Sequence, residues 1–247
     1  MKIVAIIQAR MGSSRLPQKV LKDLGGATVL DRVLNRLGRS RLIQESLVAT
    51  TIEPADIAIV EHCTRTGWEV FRGSEQDVLD RYYRAAKYTD ADVVVRITSD
   101  CPVIDPEVTD ATIRAFLDRR ADYASNTRVR TYPRGLDTEV MTVQALERAW
   151  HESSKPYQRE HVTPYIYEHP SEFKLHGIEN DADCSGHRWT IDTPEDLRLL
   201  QAIYARFGGR DDFGWREVLE LVEADPSLAD INRHIVQKAV EKAVHEG

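Results

Sequence analysis

The stretch MKIVAIIQARMGSSRLPQKVL, residues 1–21, decides how the chain reads. An unbroken apolar run, Ile3 to Ile7, opens into a loop carrying Arg10, Arg15 and Lys19 together with Gly12, two serines and Pro17. A helix-like apolar pattern resumes at Val20. A continuous Val/Ile run signals a strand covered on both faces. Backbone amides at the mouth of a strand–loop–helix unit, together with a helix N-terminus, make an anion site. Three cations there suffice for a triphosphate, with Gly12 allowing close backbone approach. A solvated basic loop is the other reading of the same charges. The loop matches neither the GxxxxGK[ST] nor the GxGxxG phosphate-binding pattern.

The surrounding composition sharpens the oddity of this loop. The chain has 247 residues, 42% hydrophobic and 30% charged, with a formal net charge of −7. An acidic balance argues against a general nucleic-acid coat, so a local basic loop is not part of a uniformly basic surface. The three cysteines (Cys63, Cys101, Cys184) are far apart and form no CxxC, which suits a reducing cytosol. The first residues lack the apolar core of a signal peptide, and no apolar run approaches the roughly 20 residues that span a bilayer. The expectation is a soluble, cytoplasmic protein with no membrane or nucleic-acid partner.

Outward from the first strand, residues 1–120 alternate strand and helix. KIVAII, SLVATTI, WEVFRG and DADVVVRITSD read as strands; TVLDRVLNRLGRS, DIAIVEHCTRTG, DVLDRYYRAAKYT and EVTDATIRAFLDRR read as helices. That rhythm predicts a mostly parallel α/β sheet flanked by helices, with ligands bound beyond the C-terminal strand ends. From about residue 123 the rhythm breaks, and 123–185 reads as an inserted α+β region packed on the sheet. RWTIDTPEDLRLLQAIYARF returns to strand, turn and helix, and 213–247 forms a helical tail interrupted at Pro226. All of this fits one domain over residues 1–247.

Two further stretches carry chemistry. Ser99-Asp100-Cys101-Pro102 closes the fourth strand, so the Asp100 carboxylate is expected in the ligand crevice or capping the next turn. In Trp189-Thr190-Ile191-Asp192-Thr193-Pro194-Glu195-Asp196, Ile191 is expected to end a short strand. Thr193, Pro194 and Asp196 read as a helix N-cap, first-turn proline and capping box. Asp192 is left over, at a strand end like Asp100. Two carboxylates and a triple-basic loop at one sheet edge suit a Mg²⁺–nucleotide site. Cys184 and His187 form a CxxH, but without a second pair at ligand spacing no zinc site is expected.

QARMGSSRLPQK resembles the N-terminal block of the cytidylyltransferases that activate acidic sugars (acylneuraminate and CMP-KDO synthetase-like), closest to the spore-coat polysaccharide biosynthesis protein F group. RITSDCPVIDP and RWTIDTPEDL look like two further blocks of that family, and RGLDTEV with REHVTPYIYEHP matches the group's middle region; the similarity runs to about residue 233. Gln18 departs from it, standing where relatives usually have Gly. The resemblance implies a nucleotide-diphospho-sugar transferase fold, GT-A-like, using CTP and Mg²⁺. It implies that Arg10 and Lys19 hold the phosphates with Arg15 as helper, and that Asp100 and Asp192 bind metal. Ala9, Gly12, Ala49, Thr50, Arg72, Gly73 and Ser99 are then expected around the nucleotide, although Arg72 also reads as a surface charge.

The implied reaction is in-line attack by an acceptor oxygen on the α-phosphorus of CTP with release of pyrophosphate, mostly positioning and charge neutralisation. Arg134, Asp137, Glu139, Arg159, Glu160 and His161 are candidates to read an anionic acceptor, because Arg forks match carboxylate and phosphate. A salt-bridged interface is the other reading of that cluster. Related enzymes pair through this region, so the resemblance also implies a homodimer. Beside a cytidylyltransferase that takes a phosphonate acceptor, two other functions stay open: a glycosyltransferase of the same fold consuming a nucleotide sugar, and a protein that binds nucleotide without turnover. The former usually carries Asp-x-Asp where this chain has Ser99-Asp100-Cys101.

Overall fold

The computed structural model describes residues 1–237. Four strands alternate with helices through the first half: β1 (Ile3–Gln8), α1 (Val29–Leu37), β2 (Glu45–Thr51), α2 (Ile57–Thr66), β3 (Glu69–Gly73), α3 (Val78–Tyr88), β4 (Val93–Thr98) and α4 (Pro106–Arg119). The second half adds β5 (Tyr123–Ser125), β6 (Glu139–Thr142), α5 (Val143–Glu152), α6 (Pro156–His161), α7 (Pro164–Glu168), β7 (Leu175–Gly177), α8 (Pro194–Arg206), α9 (Trp215–Ala224) and α10 (Pro226–Asp230). The seven strands make one sheet in the order β3-β2-β1-β4-β6-β5-β7. β1 pairs parallel with β2 on one side and with β4 on the other. The chain therefore reverses direction across the sheet between β1 and β4, the position where open α/β sheets form their ligand crevice.

Alternation along β1 explains why its sequence is apolar throughout. Ile3, Ala5 and Ile7 pack with Leu30, Val33 and Leu34 of α1 and Phe116 of α4. Val4 and Ile6 face the other way, onto Leu79 and Tyr82 of α3 and Leu146 of α5. Successive strand side chains point to opposite faces, so a strand between two helical layers is apolar at every position. A third core joins Leu16, Leu24, Leu136, Trp189 and Ile191 to α8 and α9. This core anchors the basic loop and the Asp192 segment to one another.

Three expectations change. The pattern resuming at Val20 is a single 3-10 turn, Lys19–Leu21, and α1 begins only at Val29 behind a Thr28–Asp31 capping box. The first amide of α1, Val29 N, donates to the Lys22 carbonyl at 3.0 Å, just past this turn. Segment 123–185 extends the sheet itself, with β6 antiparallel to both β4 and β5 and β7 parallel to β5. Trp189–Ile191 forms no strand; an isolated bridge between Arg134 and Arg188 lies just before it. Residues around 156–169 form two short helices, α6 and α7, since Pro164 starts a new turn. The expected tail is helical at α9 and α10, which break at Pro226; residues 238–247 lie outside the described residues.

The turn at Lys19 has a local cause. Gln18 adopts a left-handed conformation, φ 60° and ψ 20°, while its amide donates to the Met11 carbonyl at 3.0 Å to close the loop. A left-handed backbone is what glycine adopts freely, so this conformation suits the Gly that the resemblance leads one to expect here. Gln18→Gly relieves roughly 1–2 kcal/mol of strain against about 0.5–1 kcal/mol of glycine's extra entropy loss. Its urea-unfolding stability is expected within about 1 kcal/mol of the parent, whereas Gln18→Val, β-branched at positive φ, loses about 1–2 kcal/mol.

Candidate active site

The loop after β1 and the turn after β4 open onto a cleft of about 740 Å³ at the C-terminal edge of the sheet. Ala9, Arg10, Gly12, Arg15, Lys19, Ser99, Asp100 and Asp192 all line it. The loop is held where it leaves β1. Met11 N donates to Asp56 Oδ1 at 2.7 Å, the other oxygen of this buried carboxylate accepts from the Thr51 hydroxyl, and Ala9 N donates to Ala49 O at 3.2 Å. A Cβ built on Gly12 meets only Glu75 Oε1, at 3.9 Å, so the backbone there faces open cleft.

Charge is concentrated at one point. Lys19 Nζ donates to Asp100 Oδ2 at 2.9 Å, Asp192 Oδ1 at 2.9 Å and the Ile191 carbonyl at 2.6 Å. Asp192 Oδ2 also accepts from Arg188 Nη2 at 2.8 Å and pairs with Arg15 Nη2 at 3.2 Å. Arg10 is half-exposed, with Nη1 3.8 Å from Glu75 Oε1. Burial opposes the Lys19 charge, yet Asp100 and Asp192 outweigh it and hold the ammonium pKa above its ordinary value. Burial likewise opposes the Asp100 carboxylate, but the Lys19 ammonium and hydrogen bonds from Thr98 and Lys19 bring it below the usual carboxylate range. Both groups are therefore charged at neutral pH.

Backbone pairing explains how two carboxylates 92 positions apart meet. The Asp100 carbonyl accepts from Ile191 N at 2.8 Å and from the Thr190 hydroxyl at 3.0 Å. Arg134 N donates to His187 O at 2.9 Å and Trp189 N to Arg134 O at 2.7 Å. Three distant sequence blocks are thus stitched edge to edge. Asp196, fully buried, caps α8 as expected and does more: it accepts from Arg188 Nε at 2.9 Å, Arg188 Nη2 at 3.0 Å and Asn232 Nδ2 at 2.9 Å. Arg188 so anchored can fix the Asp192 carboxylate.

The remaining sequence candidates divide. Glu160 and His161 line the cleft. Burial, aided by Arg96, lowers the His161 pKa and favours its neutral form. Glu139 lies beneath, accepting from Arg96 and from the Tyr123 and Thr163 hydroxyls at 2.6 Å each. Arg159 is turned away: it grips the Asp77 carboxylate, at 3.0 and 3.1 Å from Nε, and the Trp150 carbonyl. Asp137 is paired fork-to-fork with Arg130 at 2.7 Å, and Arg134 serves through its backbone; neither lines the cleft. Ala49 and Thr50 are buried in β2, and Arg72 is spent on the Thr51 carbonyl at 3.1 Å. Gly73 borders a shallow hollow that adjoins the cleft through Glu75 and Gln76. Among the described residues no group of three or more His, Cys, Asp or Glu side chains is placed to hold a metal.

Several residues of this architecture escape a reading of the sequence. Arg96 and Arg188 each open a recognisable block, RITSDCPVIDP and RWTIDTPEDL, and Asp56 opens the second expected helix, but nothing in those stretches singles them out as the groups that grip Glu139, Asp192 and the Met11 amide. Arg81, buried beside the cleft with its Nε unpartnered, reads in sequence as one more helix charge.

A basic loop and two converging carboxylates lie at the switch point of a mixed, mostly parallel α/β sheet. The sequence model of the cytidylyltransferase family matches residues 4–219. The chain belongs to that family, whose members are nucleotidyltransferases. It is 36% identical over 234 residues to the spore coat polysaccharide biosynthesis protein SpsF of Bacillus subtilis, covering 92% of this chain and 96% of that one. A 3-deoxy-manno-octulosonate cytidylyltransferase of Koribacter versatilis is 36% identical over 108 residues, 43% of this chain and 40% of its own. The solved structure of a cytidylyltransferase from Leptospira borgpetersenii superposes with a TM-score of 0.89 at 36% identity, over 97% of this chain and 100% of that one. No helix among the described residues is long and apolar enough to cross a membrane.

Proposed function

We propose that this protein transfers CMP from CTP to an acidic sugar or similar anionic acceptor, releasing pyrophosphate, in the synthesis of a surface polysaccharide or related product. The observation that carries the reading is the convergence of Asp100 and Asp192 on one cation at the mouth of the basic loop. The names of the relatives, one a polysaccharide biosynthesis protein and one a sugar-acid cytidylyltransferase, support the nucleotide and the acceptor class. Arg10, Arg15 and Lys19 would neutralise the triphosphate, and the Gly12 backbone would let it lie close. Two carboxylates are too few to saturate an ion, but they are the hard oxygen donors Mg²⁺ takes, which commonly completes its shell with substrate phosphates and water. Bound by Asp100 and Asp192, Mg²⁺ would supply charge neutralisation at the phosphate oxygens. An acceptor oxygen that is already anionic needs no strong base. The same reading takes the protein as a cytoplasmic homodimer.

Pyrophosphate release measured with four nucleoside triphosphates, Mg²⁺ and a panel of acidic acceptors tests this. Release is expected with CTP and one acceptor class, and none without Mg²⁺. Silence with every triphosphate, with turnover of a nucleotide-sugar donor instead, assigns the protein to the glycosyltransferase reading.

A further inference from the structure

We propose that Lys19 is the resident counter-ion of Asp100 and Asp192, and that it makes divalent-cation binding at these carboxylates conditional on a triphosphate. This rests on the reading that the two carboxylates are metal ligands. The argument begins with hydrogen-bond capacity. An ammonium has three donors and no acceptor, and Lys19 uses all three, on Asp100 Oδ2, Asp192 Oδ1 and the Ile191 carbonyl. Its side chain is only 13% exposed. It therefore occupies the point on which both carboxylates converge.

The local charge is also balanced. Arg15 and Arg188 take Asp192 Oδ2, and Arg188 is shared with Asp196. Lys19, Arg15 and Arg188 face Asp100, Asp192 and Asp196, so no surplus negative charge remains to draw in a divalent cation. A metal approaching alone must displace a well-bonded ammonium. A triphosphate changes the balance, because its anionic oxygens offer Lys19 and Arg15, both on the basic loop, charge-assisted bonds of comparable strength. Once Lys19 turns to phosphate, the carboxylates recover their charge for the metal. Metal and nucleotide then bind as one event, which keeps the cleft from holding a bare cation that a free anionic acceptor could chelate.

Mn²⁺ titration followed by electron paramagnetic resonance, on the intact protein with no nucleotide present, tests this directly. The parent is expected to bind Mn²⁺ weakly. Lys19→Met and Lys19→Gln, the latter retaining a donor for the carboxylates and so protecting the fold, are expected to bind it about tenfold tighter or more, given one unit charge removed in a semi-buried site. Asp192→Asn added to either variant should abolish the gain. A parent that binds Mn²⁺ as tightly as the variants, or a well-folded Lys19→Gln that binds no better than the parent, overturns the proposal; a merely structural lysine predicts that second result. Failure of the proposed activity is separable, because it shows in the pyrophosphate assay while this titration contains no nucleotide.

Discussion

Asp100→Asn and Asp192→Asn each lower Mg²⁺-dependent pyrophosphate release by about a thousandfold, the scale at which loss of a preorganised charge contact is felt in a transfer reaction. The fold survives both changes. Asn keeps the size of Asp and one acceptor oxygen, so Lys19 retains the Ile191 carbonyl and the other carboxylate in either variant. In Asp192→Asn, Arg188 keeps both of its bonds to Asp196, and Arg15 is free to turn to water. The stability cost is then about that of one or two weakened hydrogen bonds, roughly 1–3 kcal/mol. Turnover against Mg²⁺ concentration together with urea unfolding separates the two effects. Near-parental turnover in either variant removes that residue from the metal site; unfolding in either shows that the carboxylate serves the fold first.

The parts of this architecture that were legible in the sequence are those written in contiguous residues. β1 to β4 and α1 to α4 follow from apolar runs and helical periodicity, and their boundaries needed only small shifts. Arg10, Arg15, Lys19, Asp100 and Asp192 were found because each lies in a charged loop or at a turn that reads as a strand end, and the fold brings them to one cleft. What could not be read is where a long side chain goes once it leaves its own segment. Arg159 and Glu160 are adjacent in sequence, yet one holds Asp77 behind the cleft and the other lines it, because a turn of α6 separates neighbouring side chains by about 100°. Asp56 reaches the Met11 amide across 45 positions, which no local pattern encodes, while Arg188 reaches Asp192 only four positions on, in a segment with no helix to give that spacing meaning. The expected strand at Trp189–Ile191 failed for a related reason: its partners are Arg134 and Asp100, one hydrogen bond or two apiece, so the segment is fixed by scattered pairing and not by a ladder.

That scattered pairing sets the largest expected effect on the fold, at Gly135. Its φ is 110°, a conformation that strains any other residue. A Cβ there would lie 2.5 Å from the Trp189 carbonyl oxygen, 2.7 Å from its carbon and 3.1 Å from Thr190 N. All three are backbone atoms, and Trp189 is itself buried in the third core at 1% exposure, so none can swing aside as a flexible side chain would. Gly135→Ala must either break the Arg134–Trp189 hydrogen bond or push Trp189–Ile191 away from Asp100. Backbone strain and overpacking each cost roughly 1–3 kcal/mol, so a loss of about 3 kcal/mol or more is expected. Because Asp192 follows directly on that segment, the variant that remains folded should still lose turnover, through misplacement of a carboxylate it retains. Gly177→Ala is the matched comparison: its Cβ would meet Arg128 Cβ at an ordinary 3.5 Å at an unstrained φ, and it should stay within about 1 kcal/mol of the parent. Urea denaturation and pyrophosphate release, run on both variants, decide the matter. Parental stability and turnover in Gly135→Ala would mean that the contact between the Arg134 and Trp189 segments does not position Asp192.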